Sequence, residues 1–170
     1  DTLKLKVNEA KSSVGRPWKL AFLGYTITVD KEPRLRASKR SISRFKEALR
    51  ELFRQGRGRN VYRFIKEKLN PVIRGWGAYF SLTRVKWIFE ELAGWIRRKL
   101  RCVLWRQMKR GRTRARRLMK RGIEKERAMK SAYNGRGAWW NAGASHMNEA
   151  YTTKDFQNLG LVELTKTKDS

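Results

Sequence analysis

The sequence predicts an α+β fold, mostly α: a short β-hairpin, then a helical bundle, then a small basic C-terminal region. Three observations predict it. The first thirty residues hold two stretches of strand character. From Ser38 onward apolar residues recur at three- and four-residue steps. Between Glu91 and Glu124 the chain carries no acidic residue and thirteen Lys or Arg. That last run passes through Trp95, Ile96, Leu100, Val103, Leu104 and Trp105, so it is basic and apolar at once. A solvated tail would not contain those apolar residues. A helix with one face in a core and another on a polyanion would.

The elements follow in order. Leu3, Leu5 and Val7 alternate with Lys4 and Lys6, a strand with one solvated face. Lys19 to Val29 is rich in aromatic and β-branched residues and reads as a second strand; Gly24 within it suggests a bend or a close backbone approach. Asp30 to Pro33 is a turn. Ser38 caps a helix with Ile42, Phe45, Leu49, Leu52 and Phe53 on its apolar stripe and Arg40, Arg44 and Arg54 off it. Gln55 to Gly58 ends that helix. Asn60 caps a second, holding Phe64, Ile65 and Leu69, which Asn70-Pro71 is expected to break. A third short segment sets Val72, Ile73, Trp76, Tyr79 and Phe80 on one side, mostly in the core. The longest helix spans about Arg84 to Lys109. Its stripe is Val85, Ile88, Phe89, Leu92, Trp95, Ile96, Val103 and Leu104. Arg98, Arg101, Trp105, Lys109 and Arg112 fall on a separate, basic face. Gly111 and Gly122 bracket a further basic segment, expected as a mobile arm. A short helix around Glu124 to Tyr133, a Gly- and Trp-rich stretch to Gly143, and a weakly amphipathic Tyr151–Leu164 complete the chain, with fraying expected from Thr165.

The totals narrow the function. The chain of 170 residues holds 42 Lys+Arg against 15 Asp+Glu, a formal charge of +27. Self-repulsion at that charge calls for a polyanionic partner. Disorder is disfavoured, since 40% of residues are hydrophobic, with seven Trp, seven Phe and five Tyr. Cys102 is the only cysteine, so a disulfide within the chain and a cysteine-based zinc site are excluded. Cys102 itself reads as a small buried or half-buried apolar residue. No apolar run has the length of a transmembrane helix, and no membrane partner is expected. The chain begins at Asp1 rather than Met, which reads as the C-terminal part of something longer. His146, the only histidine, is expected in a loop or on the surface; a His-Asn-His nuclease would need several.

The candidate phosphate-binding cations are Arg98, Arg101, Arg106, Lys109, Arg112, Arg114, Arg116 and Arg117, with Arg40 and Arg44 on the first helix. Such contacts position a protein on nucleic acid rather than read its sequence. Trp139 and Trp140 lie beside Arg136 in a Gly-rich stretch. There they either stack on a base or a guanidinium or anchor a loop to the body.

Several motifs in sequence resemble one family. Lys4-Leu5-Lys6-Val7-Asn8-Glu9-Ala10-Lys11-Ser12, Arg16-Pro17-Trp18 and Phe22-Leu23-Gly24-Tyr25 are similar to the last palm segments of group II intron reverse transcriptases. Ser38-Lys39-Arg40-Ser41-Ile42, Leu69-Asn70-Pro71, Arg74-Gly75-Trp76 and Tyr79-Phe80 resemble that family's thumb, also called the maturase or X domain. Gly94 to Arg101 with Trp105, and Ala132-Tyr133 through Trp139-Trp140, resemble its later maturase and DNA-binding region. The ending near Gly160-Leu161-Val162 is similar to the short, endonuclease-lacking proteins of bacterial class C introns.

The resemblance implies three parts: the end of the palm over residues 1–36, a helical thumb over 37–110, and a basic DNA-binding region over 111–170. It implies that Phe22, Leu23, Gly24 and Tyr25 form a primer grip and that Lys11 belongs to the adjoining palm motif. The implied partners are group II intron RNA, template–primer, target DNA and a separate palm and fingers portion, in a cytoplasmic, nucleoid-associated bacterial ribonucleoprotein. The implied role is in intron splicing, reverse transcription and retrohoming. Reverse transcriptases bind two Mg²⁺ through an Asp-Asp motif. The aspartates here are Asp1, Asp30, Asp155 and Asp169, with no such pair. The catalytic carboxylates are therefore expected outside this chain, which binds no cofactor and would be inactive alone. Two alternatives stay open on sequence: a related intron-free reverse transcriptase, and a general basic RNA-binding protein.

Overall fold

The computed structural model describes residues 14–56 and 58–164. Lys11 and the first expected strand, with the expected frayed end after Leu164, lie outside these residues. The described chain is a two-stranded antiparallel hairpin followed by helices, and 63% of the structure is helical.

Strand β1 (Tyr25–Ile27) pairs with β2 (Leu35–Ala37), placing Tyr25 opposite Ala37 and Ile27 opposite Leu35. The expected strand from Lys19 to Val29 thus shrinks to three residues. Leu23 and Gly24 are the reason: both take positive φ, 48° and 80°, which no extended strand allows. The bend serves close packing. A Cβ on Gly24 would stand 2.8 Å from Ser41 Oγ, and the Gly24 carbonyl accepts from the Ser41 hydroxyl and the Ser38 N–H.

Helix α1 (Lys39–Gln55) begins where Ser38 accepts from the Ser41 N–H and ends at Gly56. Phe45, Leu49 and Phe53 point inward. After Asn60, which caps as expected, the structure departs from the sequence reading. Helix α2 (Val61–Phe64), a π-helical turn (Ile65–Leu69) and helix α3 (Asn70–Tyr79) form one unbroken rod, and Pro71 does not break it. The i→i+5 register of the π turn absorbs one residue just before the proline, so Pro71 enters the first turn of α3, where no N–H is required of it. Asn70 is buried at the junction. It donates to the Gly160 carbonyl and accepts from the Val162 N–H, tying the C-terminal segment to the π turn.

Helix α4 (Lys86–Gln107) is the axis of the molecule. Its first half buries one stripe: Ile88, Phe89, Leu92 and Ile96. Its second half is covered on every side, with Leu100 through Trp105 all buried. The covering comes from α5 (Gly111–Lys120), α6 (Lys125–Ala132), α7 (Ala138–Gly143), α8 (Ser145–Ala150) and α9 (Thr153–Asn158). The expected mobile arm is therefore a helix, α5, whose Ala115 and Leu118 are buried. One apolar cluster runs from Ala37 to Leu164. Its N-terminal half is built on packed rings, Phe45 stacked on Trp76 at 4.5 Å and Trp76 tilted against Phe80 at 4.6 Å between centroids. Tyr79, expected in the core, is mostly exposed at the end of α3.

His146 is also buried, within α8 rather than in a loop or on the surface. It packs on Trp105, 5.6 Å between ring centroids. Burial, with the Arg127 charge nearby and only partly offset by Glu149, holds its pKa below the usual histidine value. Cys102 is buried, as read from sequence.

Candidate nucleic-acid interface

The acid-free run folds into two populations of cations. The first faces out. Arg106, Lys109, Arg110, Arg112, Arg116, Arg117 and Lys120 are exposed, and none is in an ion pair among the described residues. On α5 the pattern has a simple cause. Ala115 and Leu118 take the inner stripe, so Arg112, Arg116 and Lys120, four residues apart, line the outer one. Arg40 and Arg44 share an exposed stripe of α1 in the same way.

The second population faces in. Arg101, expected on the basic face, is 7% exposed. Its Nε donates to the Tyr151 carbonyl at 2.8 Å and its guanidinium lies over the Phe156 ring. Burial, then repulsion from Arg97, lowers its pKa to about 10. Trp105, placed with it on that face, is 1% exposed. Arg114 is turned inward too, its Nε donating to the Met108 carbonyl and its guanidinium 4.7 Å above the Trp105 ring. The reason is the docking of α5–α9, which covers α4 on the side a single amphipathic stripe would leave open.

A row of cations and indoles crosses from α1 to α7. Arg50 lies over Trp95, Lys99 over Trp95 and Trp139, and Arg98 over Trp139 at 4.2 Å. Arg136 lies over Trp140 at 5.0 Å. Both α7 tryptophans therefore have guanidinium partners within the protein, and both stay exposed. Arg98 is also half-buried against Gly143, where a Cβ would meet it at 2.7 Å. Arg50, Arg97 and Lys99 belong to this surface and were not singled out from sequence. The signal for Arg97 was present: with Gly94, Arg98 and Arg101 it falls on one i, i+3, i+4, i+7 stripe.

One acid near this surface is committed to structure. Asp155 accepts from the Thr152 N–H and hydroxyl, closing a capping box on α9, and from Arg121 Nη1 at 2.8 Å. The Thr152 hydroxyl bond, helped by its backbone N–H and by Arg121 against partial burial, holds the Asp155 carboxyl below the usual range. A depressed carboxylate stabilises the fold above its unfolded-state value, about 3.9, and that contribution is lost as pH falls through the folded value. Asp155→Ala is expected to cost about 1–2 kcal/mol at neutral pH. Urea unfolding at several pH values should show the gap to wild type narrowing below about pH 4; a gap of constant size down to strongly acid pH would contradict it.

The hairpin turn is a separate feature. Phe22 and Leu23 are exposed, 79% and 67%. Tyr25 donates to the Tyr79 carbonyl, and Tyr79 donates to the Leu23 carbonyl at 2.8 Å, which clamps the turn on the end of α3. Phe22, Leu23 and Tyr79 line an open apolar groove of about 900 Å³ with Pro17, Leu20 and Leu82.

Among the described residues no group of three His, Cys, Asp or Glu could hold a metal ion. The two-metal chemistry of a polymerase does not fit these residues. No helix among them is long and apolar enough to cross a membrane.

Compared with known families, residues 42–122 match the model described as "Group II intron, maturase-specific domain". The match covers α1 through α5, the rod, the axial helix and the exposed basic helix. A search of curated proteins returned no match.

Proposed function

We propose that this chain, whose residues 42–122 match the group II intron maturase-specific domain, serves intron splicing and holds group II intron RNA on the outward cations of α4 and α5. The observation that carries this reading is the sorting of charge by the fold. The acid-free run keeps Arg112, Arg116 and Lys120 in solvent without carboxylate partners, while Ala115 and Leu118 fix their helix to the core. Exposed helices normally mix signs and gain side-chain pairs; a phosphate-binding face does not.

The finer role follows from the same reading. The Phe22–Tyr25 turn, rigid at its base and apolar at its tip, rests against the primer end of a template–primer. The indoles and cations of α7 lie along target DNA. Reverse transcription and retrohoming then draw their Mg²⁺ chemistry from a palm and fingers portion, and this chain contributes grip and placement.

Filter binding at matched salt tests the reading. The chain is expected to hold a group II intron RNA about tenfold or more tighter than structured RNA of equal length, about 1.4 kcal/mol. Equal affinity for the two would sink the maturase role and leave a general RNA-binding protein.

A further inference from the structure

Beside the exposed face, a cleft of about 370 Å³ opens between α4 and the α7–α9 segment. Its floor is the stripe Gly94, Arg97, Arg98 and Arg101. Gly94 contributes no side chain, which leaves the space open. Gly143, Asn148 and Thr153 form the opposite wall, and no acidic residue lines the cleft.

Three arginines thus line the cleft with no acidic residue among its walls, while Arg97 also borders a neighbouring pocket that Glu90 and Glu163 line. Arg101 uses Nε on the Tyr151 carbonyl and is otherwise shielded from solvent. Arg98 spends one Nη2 bond on the Trp139 carbonyl, and its buried Nε has no partner among the described residues. Arg97 forms no hydrogen bond or ion pair among them. Confining like charges is costly unless an anion joins them. A buried donor left unpaired carries a further penalty. Guanidinium forks match phosphate oxygens in geometry, and the Thr153 hydroxyl sits on the other side, beside Asn148, whose amide donates to the Gly143 and Ala144 carbonyls.

We propose that this cleft is a phosphate pocket that seats one backbone phosphodiester of the bound RNA. The proposal rests on the RNA-binding reading above but assigns a particular, enclosed contact. The open α5 face neutralises charge along the backbone. The cleft fixes register, since a phosphate held by three forks has one position.

Arg101→Ala would disturb the fold through its Tyr151 bond, so Arg97 is the residue to change. The full chain, Arg97→Ala, Arg97→Lys and a remote exposed control, Lys31→Ala, are titrated with intron RNA and with unrelated structured RNA over a salt series. Each is also heated with inorganic phosphate alone. Arg97→Ala is expected to lose about tenfold or more in affinity for either RNA and to flatten the log–log salt slope by about one. Arg97→Lys should keep the slope and lose part of the affinity. Phosphate should raise the melting temperature of wild type and not of Arg97→Ala. If Arg97→Ala matches Lys31→Ala in affinity and slope, or if phosphate stabilises both proteins equally, the pocket is overturned. Loss of preference for intron RNA in wild type would fault the maturase role only, because the cleft is read out on any RNA.

Discussion

Raising salt from about 50 to about 200 mM is expected to weaken RNA binding by about 10³–10⁵-fold. The expectation comes from counting outward cations. Seven exposed Lys or Arg of the acid-free run lack carboxylate partners among the described residues, Arg106, Lys109, Arg110, Arg112, Arg116, Arg117 and Lys120; Arg40 and Arg44 add a second patch. If about six to ten phosphates are neutralised, condensed counterions are released in proportion and the log–log slope is about −4 to −9. The triple variant Arg112→Ala, Arg116→Ala, Lys120→Ala should flatten it by about two to three, with little change in melting temperature, since the three side chains are exposed and form no ion pair among the described residues. A wild-type slope shallower than about −2 would mean that the face is merely solvated. Arg98, Arg101 and Arg114 do not enter this count. Their charges are engaged in the interior or the cleft, and removing Arg101 or Arg114 should act on folding before it acts on binding.

Much of the fold could be read locally. Ser38 and Asn60 cap where their side chains predict, and the α1 stripe of Phe45, Leu49 and Phe53 is buried as its spacing requires. The family named by the ordered motifs from Ser38 to Phe80 is the one whose model matches residues 42–122. What failed depended on contacts distant in sequence. Pro71 reads as a breaker by any local rule; the π turn that accommodates it is stabilised by Asn70, whose partners lie about Gly160 and Val162. Arg101 and Trp105 read as outward when α4 is given one apolar stripe, and His146 reads as a loop or surface residue because nothing near it in sequence announces Trp105, on which it packs. A local signal did exist. Leu100, Cys102, Val103, Leu104 and Trp105 are apolar around the whole circumference, and a helix apolar all round is enclosed. The outward cations of α5 were legible as cations, but not as a face, until Ala115 and Leu118 fixed its orientation.

Trp105→Ala is expected to cost about 3–5 kcal/mol, a large share of the about 5–15 kcal/mol that stabilises a domain. The residue is 1% exposed where the axial helix meets the C-terminal helices. Arg114 covers its ring at 4.7 Å and His146 packs beside it at 5.6 Å. Truncation removes the largest fully buried side chain of the core and leaves a cavity lined by a cation and an imidazole that no longer have a ring against them. The surroundings cannot close on it easily, because α5 is held by Leu118 and α8 by Met147, both fully buried. The loss should therefore appear as release of α5–α9 from α4, with hydrogen exchange rising there before it rises in α1–α3. RNA affinity should fall with it, although Trp105 is buried away from any RNA-facing surface, because the α5 face and the cleft both depend on that docking. Trp139→Ala, at an exposed indole of similar size, is the matched control and should change the urea midpoint little. A Trp105→Ala protein within about 1 kcal/mol of wild type would show that the C-terminal helices do not rely on α4 for their place, and the phosphate cleft between them would lose its structural basis.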